Sequence, residues 1–209
     1  VRRHSGRAVG EFVRDELGQQ LWVGVPAAML EELARIAPGR PGRARDLPAP
    51  HELVTKLVAA TQDPDSPMMR STANPGASFN NPTLLTGGWP GAGLVSTARA
   101  LADFYARLVG GQILAPGQID DAVRERVRGP DRTMVTETAF GLGFMRPCAQ
   151  MYLPEVAGSS AFGHPGASGS LGLGDLERRL GFAYITNLAR PALRDRRAYD
   201  LVEAVYAAL

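Results

Sequence analysis

The chain reads as an α+β protein, and three observations predict it. Helix-spaced apolar residues dominate the first two thirds, glycine-punctuated apolar runs follow, and one amphipathic stretch closes the chain. Helices followed by a run of strands point to segregated α and β parts and not to alternating βαβ units. The 209 residues suffice for one domain of ordinary size, and 44% hydrophobic content fits a folded chain. Residues 1–130 are expected to form a mainly helical region with long loops, and 131–209 the strands and terminal helix that complete one domain.

In 8–18, Val9, Phe12, Val13 and Leu17 share one side at helical spacing, and Gly18 ends the helix. An extended piece at 21–26 follows, and Pro26 opens a helix ending near Ile36. Residues 38–50 read as loop. Leu53, Val54, Leu57 and Val58 form the apolar stripe of a helix over 51–60. Between 61 and 90, Pro, Asn, Ser and Gly predominate; a loop of that length is unusual and often functional. Thr97 caps the clearest helix, with Leu101, Phe104, Tyr105, Leu108 and Val109 on one face and Gly110-Gly111 at its end. Pro116 suits the first turn of the next helix, whose buried side is Ile119, Val123 and Val127. Residues 140–145, 162–174 and 180–187 read as three strands. The polar turn 175–179 joins the last two, so the simplest arrangement is an antiparallel meander. Asp195 caps the final helix, with Tyr199, Val202, Tyr206 and Leu209 facing inward.

A net charge of +2 argues against a nucleic-acid partner, although the isoelectric point is near 9.0. Cys148 is the only cysteine, so no intrachain disulfide forms and a cysteine-ligated metal is not expected. His4, His51 and His164 lie far apart and lack zinc-protease spacing; no metal or organic cofactor is expected. No stretch reaches the roughly 20 apolar residues that span a bilayer. The first residues lack the apolar core of a signal peptide, which favours a cytoplasmic location for the chain as given. A first residue of Val suggests a start inside a longer protein. No strand–GxGxxG–helix unit marks a dinucleotide site.

The run Phe162-Gly163-His164-Pro165-Gly166-Ala167-Ser168-Gly169-Ser170, followed by the apolar strand 180–187, is the most informative feature. Its glycines let backbone approach a ligand closely, which suits the wall of a substrate cleft. On the residues alone, His164 fits equally well a strand-end histidine bonded to backbone. Pairing His164 with Ser168 or Ser170 as a self-contained catalytic couple is disfavoured, because such positions lie roughly 13 Å and 20 Å apart along one strand.

Three pieces of the sequence resemble the serine beta-lactamase-related family, which holds class C-like beta-lactamases, penicillin-binding D-alanyl carboxypeptidases and esterases of the same fold. They are Gly91-Ala92-Gly93-Leu94-Val95-Ser96-Thr97-Ala98-Arg99-Ala100-Leu101-Ala102 with Phe104-Tyr105, then Phe140-Gly141-Leu142-Gly143-Phe144, then the glycine-rich run with the strand after it. Esterase-like members form the nearest subgroup. The resemblance covers the chain from about Phe79, and 8–26 is similar to a segment that follows the family's second catalytic motif. It implies a serine hydrolase of carboxylic esters or amides. His164-Pro165-Gly166 matches the family's Lys-Thr-Gly or His-x-Gly triplet. By this resemblance His164 polarises the site, Gly166 leaves room for substrate along the strand, and the Ala167 backbone N–H is an oxyanion donor.

The other family motifs are not found. Lys56 is the only lysine and position 53 is Leu, so no Ser-x-x-Lys exists; no tyrosine begins a Tyr-x-Asn. Ser78-Phe79-Asn80 has a related form in the wrong part of the chain. The expectation is therefore a truncated, C-terminal portion with a partial beta-lactamase/penicillin-binding-protein-like fold. Such a chain would be inactive alone because the nucleophile-bearing half is absent. A small ester or amide substrate would need a complementary N-terminal half, and exposed strand edges would favour a homo-oligomer or a complementary chain. The alternative is a non-catalytic binding or partner protein that retains the cleft wall.

Overall fold

The computed structural model describes residues 1–18, 20–39, 51–72, 78–166, 168–190 and 195–209. The first helices are α1 (Arg2–Ser5) and α2 (Val9–Phe12), the latter running into a π-helical turn, Val13–Leu17. β1 (Trp22–Val23), a 3-10 turn at Ala27–Glu32 and β2 (Ala37–Pro38) follow. Then come α3 (His51–Gln62), α4 (Pro67–Thr72), α5 (Pro82–Thr86), β3 (Leu94–Val95), α6 (Ala98–Val109) and α7 (Pro116–Val123). The strand region holds β4 (Val127–Pro130), β5 (Glu137–Phe140), β6 (Ala161–Pro165), β7 (Leu171–Asp175), β8 (Leu180–Tyr184) and β9 (Leu188–Ala189), and α8 (Arg196–Ala207) ends it.

β6, β7 and β8 form an antiparallel meander in register Phe162↔Gly174↔Gly181, but the run 162–174, expected as one strand, is two strands, β6 and β7, folded back on each other. The apolar run 140–145 is not one strand. β5 stops at Phe140, the chain turns, and Met145 bridges both Phe140 and Gly163. Met145 thereby brings the antiparallel β4–β5 hairpin to the outer side of β6.

Side-chain alternation gives this sheet two different faces. Phe162 lies on the α6 side, with Tyr105, Leu108, Ile119 and Val123. Ala161, Leu171 and Leu173 lie on the α8 side, with Val202, Tyr206, Met151 and Ala157. On the α6 side, Gly172 and Gly174 remove the side chains that would meet Tyr105 and Phe162, and Gly181 lets the α6 backbone come close.

The amino-terminal segments are joined into this fold by specific contacts. β1 pairs with β3, and β2 runs parallel to β9. The Arg107 guanidinium of α6 donates to the Leu17 carbonyl at 2.7 Å. Asn80 accepts from the Ile36 N–H and donates to the Ile36 carbonyl, each at 2.8 Å. Its Ser-x-Asn setting thus serves backbone bracing. The expected partial fold is corrected by these pairings, and so is the complementary chain inferred from unpaired edges. Residues before 40 already partner β3, β9 and α6, and Met145 engages β6.

Local signals act largely as expected. The Thr97 hydroxyl accepts the Ala100 N–H at 3.2 Å, and Asp195 accepts the Arg197 N–H at 3.0 Å. Thr97→Ala is expected to cost about 1 kcal/mol, read as a lower urea midpoint with an unchanged slope. Five expectations need correction, the first being the loop at 61–90, which holds α4 and α5. Val127 is on β4 and exposed, because α7 ends at Val123. Leu209 lies past the end of α8 and is exposed. Val54 and Val58 face outward, leaving Leu53 and Leu57 as the inward pair of α3. Asp175, expected in a solvated turn, is fully buried.

Candidate functional site

The β6–β7 ladder ends at the Pro165↔Leu171 pair, and the chain reverses through the turn 166–170. Two backbone bonds close this turn: the Gly166 N–H donates to the Ser170 carbonyl at 2.7 Å, and the Gly169 N–H to the Gly166 carbonyl at 3.0 Å. Gly169 has φ +92°, and a Cβ there would stand 2.6 Å from Asp195 Oδ2 and 2.7 Å from Arg197 Nη2. Both the left-handed backbone and the crowding require glycine. Arg197 fixes the turn from behind. It donates to the Ser168 carbonyl at 3.0 Å, the Leu188 carbonyl at 2.9 Å and the Thr186 hydroxyl at 3.2 Å. Its Nε is 2.8 Å from Asp195 Oδ2. Burial pushes the Asp195 carboxyl up, but the Arg197 hydrogen bonds and the charges of Arg197 and Arg190 hold it below the usual carboxylate range.

His164 is exposed on β6, and its ring centroid is 6.4 Å from that of Phe140. Its Nδ1 lies 2.7 Å from the Pro165 carbonyl oxygen. A carbonyl only accepts, so this contact places the proton on Nδ1. In the neutral ring Nε2 is then left as an acceptor, able to take a proton from a substrate or a neighbouring hydroxyl. Ser168 and Ser170 hydroxyls are 3.4 Å from each other, and Ser170 accepts the Thr186 N–H at 3.3 Å. Ala167 lies outside the described residues.

A cavity of about 240 Å³ adjoins this turn. Pro165, Gly166, Gly169 and Ser170 form one wall, and Leu53 and Leu57 of α3 form another. Met151, Leu171, Tyr152 and Tyr199 add apolar surface, and Arg190 and Asp195 also line it. Tyr152 and Tyr199 stack with centroids 5.4 Å apart. His164 does not line this cavity. It follows Phe162 on the α6 face of β6, whereas Pro165 and Leu171 project to the α8 face. The structure therefore brings Gly166 to the cavity and sets His164 on the other side of the strand. Sequence reading missed the contributions of α3, Met151 and Arg190, which come from segments with no shared motif. Among the described residues no group of His, Cys, Asp and Glu could hold a metal, and no helix is long and apolar enough to cross a membrane.

The beta-lactamase family model matches residues 1–207. The chain belongs to the beta-lactamase family. Its structure is similar to that of EstA from Arthrobacter nitroguajacolicus Rue61a, with 26% identity and a TM-score of 0.76 over 99% of this chain and 55% of that one. A family VIII carboxylesterase matches at 25% identity and TM-score 0.74, over 100% of this chain and 54% of the other. A penicillin-binding protein homologue from Caulobacter crescentus matches at 30% identity and TM-score 0.70, again over 100% and 54%. No curated protein matches. The chain spans about half the length of these beta-lactamase-family structures. The match from residue 1 corrects the expectation of a resemblance confined to a C-terminal portion. The expectations drawn from the absent motifs and unpaired edges, a truncated portion with a partial fold, inactive without a missing half and in need of a complementary partner, are corrected by the family match and by structural matches over 99–100% of this chain.

Proposed function

We propose that this chain serves carboxylic-ester hydrolysis of the esterase type, supplying the strand along which the ester lies. One observation carries the reading: the cavity opens on the backbone of Pro165 and Gly166, within the triplet that matches the family's His-x-Gly motif. The likeness to EstA and to a family VIII carboxylesterase supports an ester over an amide. Gly166 admits the substrate to the strand end and the Ala167 N–H is the assigned oxyanion donor, whereas His164, on the opposite face of β6, takes no part at this cavity. The sequence contains no Ser-x-x-Lys, so the roles assigned to these residues are binding and orientation.

The test is a titration of the isotopically labelled protein with methyl butyrate, followed by amide chemical shifts. Shifts are expected at Gly166, Gly169 and Ser170. Gly166→Val, which adds bulk to the cavity lining beside Ser170, is expected to weaken binding by about tenfold, equivalent to ~1.4 kcal/mol. Shifts scattered elsewhere, or unaltered binding by a folded Gly166→Val protein, would sink the assignment.

A further inference from the structure

Beside the cavity two arginines, Arg190 and Arg197, meet one carboxylate, that of Asp195. Asp195 is the only acid among the described lining residues, and Arg197 already engages both of its carboxylate oxygens. Arg190 Nη1 is 3.9 Å from Asp195 Oδ1, beyond hydrogen-bond length, and the Arg190 side chain is only 19% exposed. Two guanidinium groups thus share one carboxylate, and the one that lines the cavity has the longer contact. Among the described residues Arg190 has no closer anion, and a largely buried cation is costly to leave so. The same cavity is lined by Leu53 and Leu57 of α3, with Leu171 and Met151. The volume of about 240 Å³ equals the room of about eight water molecules at ~30 Å³ each.

A ligand matching this lining has a short apolar chain ending in an anion, with its other end at Gly166. We propose that the cavity selects an ester whose buried arm carries a carboxylate, such as a half-ester of a short dicarboxylic acid. The arm's methylenes pack against Leu57 and Leu171, and its carboxylate takes paired N–H bonds from Arg190. This inference rests on the ester reading of the Gly166 strand and adds the charge of the substrate to it. Arg190 is a specificity residue here, remote from the reacting carbonyl.

Monomethyl glutarate and dimethyl glutarate separate the two ideas, because both carry the ester and only the first is an anion. Amide-shift titrations of the full chain at low salt are expected to show monomethyl glutarate binding at least about tenfold more tightly, as a charge-assisted bond predicts. Arg190→Gln should erase that preference while dimethyl glutarate still binds; Arg190→Lys should keep part of it. Leu57→Trp, which fills the cavity from α3, should weaken both esters. Thermal unfolding of each variant checks that it is folded. Equal binding of the two esters by the wild-type chain, or a preference that survives in Arg190→Gln, overturns the charge assignment and leaves the ester reading standing. Failure of both esters to shift the 166–170 amides overturns the ester reading and this inference together.

Discussion

Gly181→Val is expected to destabilise the protein by about 3 kcal/mol, at the upper end of overpacking costs. An ideal Cβ at Gly181 would stand 2.3 Å from the Ala106 nitrogen, 2.5 Å from the Ala102 oxygen and 2.7 Å from the Ala106 Cα. All three are helix backbone atoms, so no rotamer change relieves the clash and α6 must move as a body. Moving α6 also displaces Tyr105 and Leu108, which are buried against Phe162. The substitution therefore opens the interface between α6 and the sheet along its length. Urea unfolding should show the lowered midpoint, and Gly117→Ala supplies the contrast. Gly117 lies in α7 with nothing within 4 Å of its would-be Cβ. Alanine there should be neutral or stabilising by up to about 1 kcal/mol through helix propensity. Equal losses in the two variants would refute the close-packing account.

The same glycines show what the sequence could and could not reveal. Residues whose role is local were legible. Thr97 and Asp195 cap their helices because a side-chain oxygen meets an amide two or three residues on, and that geometry needs no tertiary context. The antiparallel pairing of β7 with β8 was legible because apolar runs separated by a polar turn leave few other pairings, whereas the reversal inside 162–174 was not. Gly163, Gly166, Gly169 and Gly172 recur every third residue, which matches no strand period, because they serve different purposes. Gly172 clears Tyr105, while Gly169 turns against Asp195 and Arg197. Asp175 was misjudged for a related reason. A charged residue beside Glu177, Arg178 and Arg179 looks solvated, and only the return of α8, 31 positions later, brings Tyr206 to cover it. At the candidate site, the His-x-Gly triplet identified the strand but not the face on which its histidine stands. The cavity walls come from α3, the 149–152 segment and the region around Arg190, which share no sequence signal.

Asp175→Asn is expected to cost about 2 kcal/mol at pH 7 and to flatten the acid side of the stability curve. The native carboxylate accepts the Arg178 backbone N–H at 3.0 Å, the Arg178 guanidinium at 3.2 Å and the Tyr206 hydroxyl at 2.7 Å. Burial alone would raise the Asp175 pKa. The hydrogen bonds from Arg178, Tyr206 and Ser160, with the Arg178 charge, overcome it and hold the carboxyl below the usual carboxylate range. A depressed native pKa means that the unfolded chain binds the proton more readily. The resulting stability is fully present above the unfolded value of about 3.9 and is lost as pH falls through the lower native value. An amide cannot ionise, so Asp175→Asn lacks this contribution and its deficit should shrink from neutral pH toward pH 3. Asp131 and Asp195 also lie below their ordinary range, so the variant should keep a shallower acid limb. Tyr206→Phe separates charge from packing: it keeps the ring against Val202 and the sheet but removes one donor to the carboxylate, and should lose about 1 kcal/mol. Its acid limb should fall between those of the wild type and Asp175→Asn, because Arg178 still holds the charge. Urea midpoints measured between pH 3 and pH 8 decide the matter. An acid limb in Asp175→Asn as steep as in the wild type would show that the buried carboxylate contributes nothing to the pH dependence of folding.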